Sequence, residues 1–249
     1  MTHHFGIVLL SGGLDSTTLA SMAIKEDIDL VALTFDYGQN HRHEINSAKA
    51  IASKLGITQV IIDISFYKEL ANHSALTNAP VHQLPKGRSK EEIETGIPIT
   101  YVPLRNTFFL TLAAARLESM ALRAIEKDAV QPAEVQATIF IAANAIDYSG
   151  YPDCRPDFYR LAAQTLQKGS KLWAQYSIPL QIETPLIAMS KADIVRTAFI
   201  NNAPIELSWS CYNDGKIPCG ECDSCHLRAK GFAEAEKIDP SLSLFKGLV

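Results

Sequence analysis

At 249 residues, 47% of them hydrophobic and 20% charged, the chain carries enough apolar mass for one large α/β core or one domain with an appendage. Its apolar runs fall far short of a membrane span, Met1-Thr2-His3-His4 lacks the order of a signal peptide, and a net charge of −4 offers no general basic field to a nucleic-acid backbone. The expectation is a soluble cytoplasmic protein acting on small molecules, with neither a membrane nor a nucleic acid as partner.

The elements follow in chain order. Gly6–Leu10 reads as a buried strand, Ser16 to about Lys25 as a helix, Leu30–Phe35 as a strand, about His43 to Leu55 as a helix and Gln59–Ile64 as a strand. From Tyr67 to Pro103 the periodicity lapses into one long loop with a short helical turn at Glu91–Glu94, read either as a lid over the ligand site or as plain surface disorder. A long helix from Asn106 to about Lys127 leads through a surface insertion at Asp128–Glu134 to an apolar run at Thr138–Ala143. A helix from Asp157 to Lys168 and a strand at Leu180–Ile182 follow, and Ser190 with Asp193 reads as a helix cap. Continuous apolar strands alternating with helices predict a doubly wound, Rossmann-like parallel sheet with right-handed crossovers, whose ligands sit beyond the carboxyl ends of the strands.

The first such end carries Ser11-Gly12-Gly13-Leu14-Asp15-Ser16-Thr17-Thr18. Two glycines let backbone approach an anion, the hydroxyls of Ser11, Ser16 and Thr17 can donate to phosphate oxygens, and a helix start presents free N–H groups. No lysine follows the last glycine, and G-x-G-x-x-G is absent, so neither the common P-loop nor the dinucleotide fingerprint applies. Arg105, opening the long helix, suits a bidentate contact to phosphate, and Lys191 suits a phosphate oxygen or a departing pyrophosphate.

A second polar strand end holds Asp36, Tyr37 and the segment to Glu44, suited to hydrogen bonding with an adenine, a ribose or another heterocycle. Asn144 to Asp157 packs carboxylates, Arg155 and two tyrosines into a loop too polar for core. It reads as a substrate pocket in which Tyr148 or Tyr151 stacks on a planar base and Asp147 or Asp153 accepts from its N–H groups. Cys154 there reads as packing rather than as a nucleophile. Cys211, Cys219, Cys222 and Cys225, spaced C-x7-C-x2-C-x2-C, match a closed structural zinc site, with an iron–sulfur cluster as the rival.

S-G-G-L-D-S-T-T resembles the signature of the ATP pyrophosphatases, the PP-loop superfamily. Together with T-F-D-Y-G-Q, T-Y-V-P-L-R-N, N-A-I-D-Y-S-G-Y-P-D-C-R, T-P-L with Lys191, and W-S-C-Y through P-C-G-E-C-D-S-C-H-L-R-A-K-G-F, it makes the chain resemble, nearly end to end, the 7-cyano-7-deazaguanine synthase family of queuosine biosynthesis. That resemblance implies an adenine nucleotide alpha hydrolase-like fold over residues 1–249, with a small helical zinc segment at 205–249. It implies ATP bound by Leu10, Ser11, Gly12, Gly13, Leu14, Asp15, Ser16, Thr17, Thr18, Leu19 and Ala20, with Mg2+ near Asp15. Asp15, Arg105 and Lys191 would serve catalysis. Asp36, Tyr37, Asn144, Asp147, Tyr148, Tyr151, Asp153 and Arg155 would hold the base. It further implies ammonia and 7-carboxy-7-deazaguanine as co-substrates, and a homodimer. Two departures stand out: Ala142 replaces a usual glycine, and Glu118–Gln136 is longer than usual. The rivals are tRNA thiolation, disfavoured by the acidic balance, and a zinc-stabilised nucleotide-binding module without turnover.

Overall fold

Ile7 and Val8 face opposite sides of the same strand, and neither is exposed to solvent at all. A strand buried on both faces needs a neighbour on each edge and a helical layer on each side. The computed structural model describes residues 2–25, 27–39, 43–78, 81–82, 84, 96–145, 151–213 and 215–245. Five parallel strands, β1 (His3–Leu9), β2 (Asp29–Asp36), β3 (Thr58–Asp63), β4 (Val135–Phe140) and β5 (Leu180–Glu183), lie in the order β3-β2-β1-β4-β5. Ile7 pairs in register with Val31 on one side and Ile139 on the other.

Helices cover both faces. Phe5, Ile7 and Leu9 pack beneath α4 (Arg105–Glu126), α5 (Pro156–Lys168) and α6 (Lys171–Tyr176), through Leu110, Leu117, Tyr159 and Leu172. Val8 and Leu10 pack beneath α1 (Leu14–Ala23), α2 (His43–Leu55), α7 (Lys191–Ile200) and α8 (Asp223–Glu234), through Leu19, Ile51, Ile194 and Phe232. In α4 the buried positions Leu110, Ala113, Leu117, Ala121 and Ala124 recur at three and four residues, which gives one apolar stripe. Among the described residues, no helix is long and apolar enough to cross a membrane.

The chain winds outward from β1 to β3, then returns to the other side of β1 for β4 and β5. The carboxyl ends of β1 and β4 therefore flank the reversal, where the loops diverge and leave a crevice. The doubly wound parallel sheet was legible in the residues, but three details differ. Strand β4 ends at Phe140, three residues before the apolar run does: Ile141 makes a last bond across to β5 by donating to the Glu183 carbonyl, and Ala143 then turns back to donate to the Ile141 carbonyl. Helix α6 was not anticipated; its six residues are too few to show a period, although Ser170 caps it by accepting from the Trp173 N–H at 3.1 Å.

The third difference concerns the expected lid. Around a short helix, α3 (Tyr67–Leu70), the segment folds inward: Tyr67, Ala71, Leu76 and Val102 join the core, and Ala75 donates to the Ile99 carbonyl at 2.9 Å. The described parts of 67–103 are thus built into one face of the domain, and none of them lines the cavity described below. Apolar residues too irregularly spaced for a period carry this packing. The expected turn at Glu91–Glu94 lies outside the described residues.

Candidate active site

Gly12 adopts φ +88, a conformation that glycine tolerates and other residues rarely adopt. A side chain there would also run into the Glu44 carbonyl and the Ala48 nitrogen, so the loop rests directly on α2. Its carbonyl accepts from the Trp209 N–H at 2.9 Å, which fastens the loop on its other side. Ser11 Oγ lies 3.0 Å from Ser16 Oγ and accepts from the Gly13 N–H at 3.3 Å. The first turn of α1, uncapped by any side chain, presents its N–H groups to the same space.

Lys191 enters from the other side of the crevice. It is the first residue of α7, where Ser190 and Asp193 form a reciprocal capping box. Its ammonium donates to both oxygens of Asp15, at 2.9 and 2.7 Å, and the side chains are 11% and 25% exposed. Asn144 braces this start of α7 by donating to the carbonyls of Leu186, at 3.3 Å, and Met189, at 2.6 Å.

The opposite wall comes from α4 and the segment before α5. Arg105 donates to Tyr37 Oη at 3.2 Å and lies over the Tyr37 and Phe109 rings. Desolvation works to lower its pKa, yet Tyr37, Tyr151, Asp153 and Glu44 raise it on balance, so the cation is retained. Tyr151 Oη shares a 2.6 Å hydrogen bond with Thr100 Oγ1, and desolvation pushes its pKa up to about 12. Cys154 beside it is likewise pushed up to about 12 by desolvation and by Asp153, which keeps it a thiol rather than a nucleophilic thiolate.

One cavity of about 270 Å³ joins these parts. Its lining runs from Ser11, Asp15 and Ser16 past Lys191 to Arg105, Asn106 and Tyr151, with Asp15 and Glu44 as the carboxylates in the described wall. Ser210, Tyr212 and Arg228, from the segment carrying the cysteines, close a further side.

That segment is built around the four thiols. The sulfur atoms of Cys211, Cys219, Cys222 and Cys225 all lie within 4.8 Å of one another, close enough to hold one metal ion. The N–H groups of Asn213 and Cys219 donate to Cys211 Sγ at 3.4 and 3.3 Å, and that of Glu221 to Cys219 Sγ at 3.5 Å. Donors aimed at sulfur favour thiolates, the form that ligates metal. Arg228 on α8 ties the segment together by donating to Asp239, Ser208, Ser210, Ser241 and the Ile205 carbonyl. Burial works to raise the Asp239 pKa, but the hydrogen bonds and charge of Arg228 together with the bonds from Ser241 outweigh this and hold the carboxyl below its usual range.

The model of the family described as queuosine biosynthesis protein QueC matches residues 6–236. The chain belongs to the QueC family. Among QueC relatives, the 7-cyano-7-deazaguanine synthase of Thermoplasma acidophilum is 42% identical over 234 residues, spanning 94% of this chain and 90% of that one. The synthase of Syntrophus aciditrophicus is 43% identical over 240 residues, spanning 95% and 96%.

Some of the residues expected to serve the site line the cavity and others do not. Ser11, Gly13, Leu14, Asp15, Ser16, Arg105, Asn144, Tyr151 and Lys191 line the cavity, and so does Ala142. Leu10, Leu19 and Ala20 are buried in the core. Thr17 and Thr18 are wholly buried and donate to the Gly13 and Leu14 carbonyls at 2.7 and 2.9 Å. The expected Thr17 hydroxyl contact to phosphate is therefore replaced by a bond within the helix, as hydroxyls four residues along commonly make. Asp36 accepts from the Gly38 N–H at 3.3 Å within its own turn, and Tyr37 reaches the cavity through Arg105. Asp153 accepts from the Asn106 N–H at 3.4 Å, supporting the start of α4 from behind the wall. Arg155 is exposed ahead of α5 and away from the cavity. Asp147 and Tyr148 lie outside the described residues. Asn106, Glu44 and Tyr159 are wall residues to which sequence reasoning gave no separate role. Tyr159 carries a helix-period signal, which points only to core.

Gly231 shows how closely the metal segment and the cavity are joined. A Cβ there would run into Lys191 Cγ, with Lys191 Cβ at 3.0 Å and its carbonyl carbon at 3.2 Å. On an open helix face, glycine to alanine gains about 1 kcal/mol, but overpacking a buried contact costs about 1–3 kcal/mol. Because the obstruction includes backbone, the second effect should win. Gly231→Ala is expected to lower the midpoint of thermal unfolding by several degrees, measured calorimetrically.

Proposed function

We propose that this protein is an ATP-dependent ligase that converts 7-carboxy-7-deazaguanine and ammonia into 7-cyano-7-deazaguanine. The observation that carries this reading is the single cavity running from the glycine-rich loop to the Arg105, Asn106 and Tyr151 wall, so that nucleotide and base share one space. A carboxylate resists attack by ammonia until its oxygen becomes a leaving group. Transfer of AMP from ATP to that oxygen releases pyrophosphate, ammonia then displaces AMP, and the product is an amide. A second adenylylation, on the amide oxygen, releases another pyrophosphate; loss of AMP and protons from nitrogen leaves the nitrile.

In this scheme Ser11, Ser16 and the first N–H groups of α1 hold the pyrophosphate, while Arg105 and Lys191 offset its charge as it departs. Tyr151 bounds the planar base. Asp15 and Glu44 offer the hard oxygens that Mg2+ accompanying ATP requires. Four cysteine sulfurs leave no open coordination position, so the metal in the cluster is proposed to be a structural zinc. The working unit is proposed to be a cytoplasmic homodimer of single-domain chains, each with its metal segment at 205–249.

Purified protein given 7-carboxy-7-deazaguanine, ammonium and Mg-ATP should yield the nitrile together with AMP by mass spectrometry, with the amide appearing first. ADP instead of AMP, or no change to the base while ATP is bound, would overturn the proposal.

A further inference from the structure

Among the buried side chains, Tyr159 is anomalous. Its ring is part of the core on the α4 and α5 face of the sheet, and the residue is only 4% exposed, yet among the described residues its hydroxyl has no hydrogen-bond partner of good geometry. Buried polar groups are nearly always paired, and packing alone does not require a tyrosine: phenylalanine would occupy the same space without a stranded oxygen. The Asn106 amide comes close enough to act on the Tyr159 phenol, but its well-formed hydrogen bond goes to the Asp153 carbonyl at 3.2 Å, with Cys154 Sγ at 3.9 Å. Tyr159 also lines the cavity, on the same side as Asn106, Tyr151 and Cys154 and across from the glycine-rich loop.

We infer that the Tyr159 hydroxyl is a specificity contact for the planar base, donating its proton to an acceptor on the edge of the heterocycle. This rests on the proposed function for the identity of the base. Desolvation pushes the Tyr159 phenol upward, so it enters the complex protonated, as a donor. The free protein bears the cost of an unpaired buried hydroxyl and recovers it when the base binds. A pocket that leaves a donor waiting in this way discriminates against analogues without the matching acceptor.

Tyr159→Phe separates this role from packing, because its effects on the free and bound protein run in opposite directions. The free variant should unfold at the same temperature as the parent or higher. Its affinity for 7-carboxy-7-deazaguanine, by titration calorimetry without ATP, should fall about 10- to 100-fold. ATP affinity should be unchanged, and the stabilisation that the base confers on thermal unfolding should shrink. Tyr159→Leu should reproduce the loss of base affinity. Wild-type protein that binds the base while Tyr159→Phe binds it equally well would overturn the assignment of Tyr159 alone. A wild-type protein that binds ATP but not this base would overturn the function proposed above and the assignment with it. A free Tyr159→Phe variant that unfolds several degrees lower, with base affinity intact, would make the residue structural.

Discussion

Replacing Lys191 with methionine is expected to lower turnover by about 100- to 1000-fold, the usual effect of removing one preorganised charge from a transition state. Methionine keeps most of the aliphatic stem that packs beside Gly231 while deleting the ammonium that meets both oxygens of Asp15. A lysine in the first turn of a helix faces the positive end of the dipole, an unfavourable position that local stability does not select. Asp15 and the capping box of Ser190 and Asp193 compensate for it, and the outcome is a fixed cation at the mouth of the glycine-rich loop. Because Asp15 keeps 25% exposure, water can solvate it when its partner is gone, and the fold should survive. Pyrophosphate release under steady-state conditions, with circular dichroism as the control for folding, tests this. The drop should fall on kcat more than on KM for ATP, because charge accumulates on the leaving pyrophosphate only as the bond breaks. Full turnover in Lys191→Met would remove Lys191 from the chemistry.

What sequence could reveal about this pair, and what it could not, follows from the range of each signal. The glycine-rich loop is local: its glycines, hydroxyls and flanking strand and helix lie within a few residues, and its place at the switch point follows from strand order. The four cysteines are nearly as local, and their spacing alone brings them to one point. Lys191 and Asp15 stand 176 residues apart, so their contact exists only after α7 packs beside α1. The donor role read for the Thr17 hydroxyl went astray for a related reason. A hydroxyl in a phosphate-loop pattern promises a donor, but the helix turns that of Thr17 inward to the Gly13 carbonyl, and only the start of α1 at Leu14 reveals that. Tyr159 is the extreme case. A helical period marks it as core, as the fold bears out, and no pattern of neighbours signals a hydroxyl left without a partner.

Stripping the metal with a strong chelator, or replacing Cys222 with serine, is expected to abolish turnover although no cysteine among the four holds substrate in the scheme proposed. Metal binding to such segments is worth about 10–16 kcal/mol in isolated peptides, more than most domains possess in total, so the segment cannot keep its shape without it. Three contacts would carry the damage to the cavity. Trp209 donates from its backbone to the Gly12 carbonyl at 2.9 Å, its indole donates to the Cys211 carbonyl at 2.8 Å, and Gly231 abuts Lys191. The indole also stacks on His43, with ring centroids 4.4 Å apart, so its emission reports on the segment directly. In a Trp173→Phe background, which leaves Trp209 as the sole tryptophan of the chain, metal removal should shift emission to longer wavelength and increase its intensity. Elemental analysis should find one zinc per chain before treatment, and the β-sheet signal in circular dichroism should persist afterwards, because the two main core clusters do not include the cysteines. Retention of both the native emission and turnover after complete metal loss would show that Arg228, with its bonds to Asp239 and three serines, suffices to hold the segment against the loop.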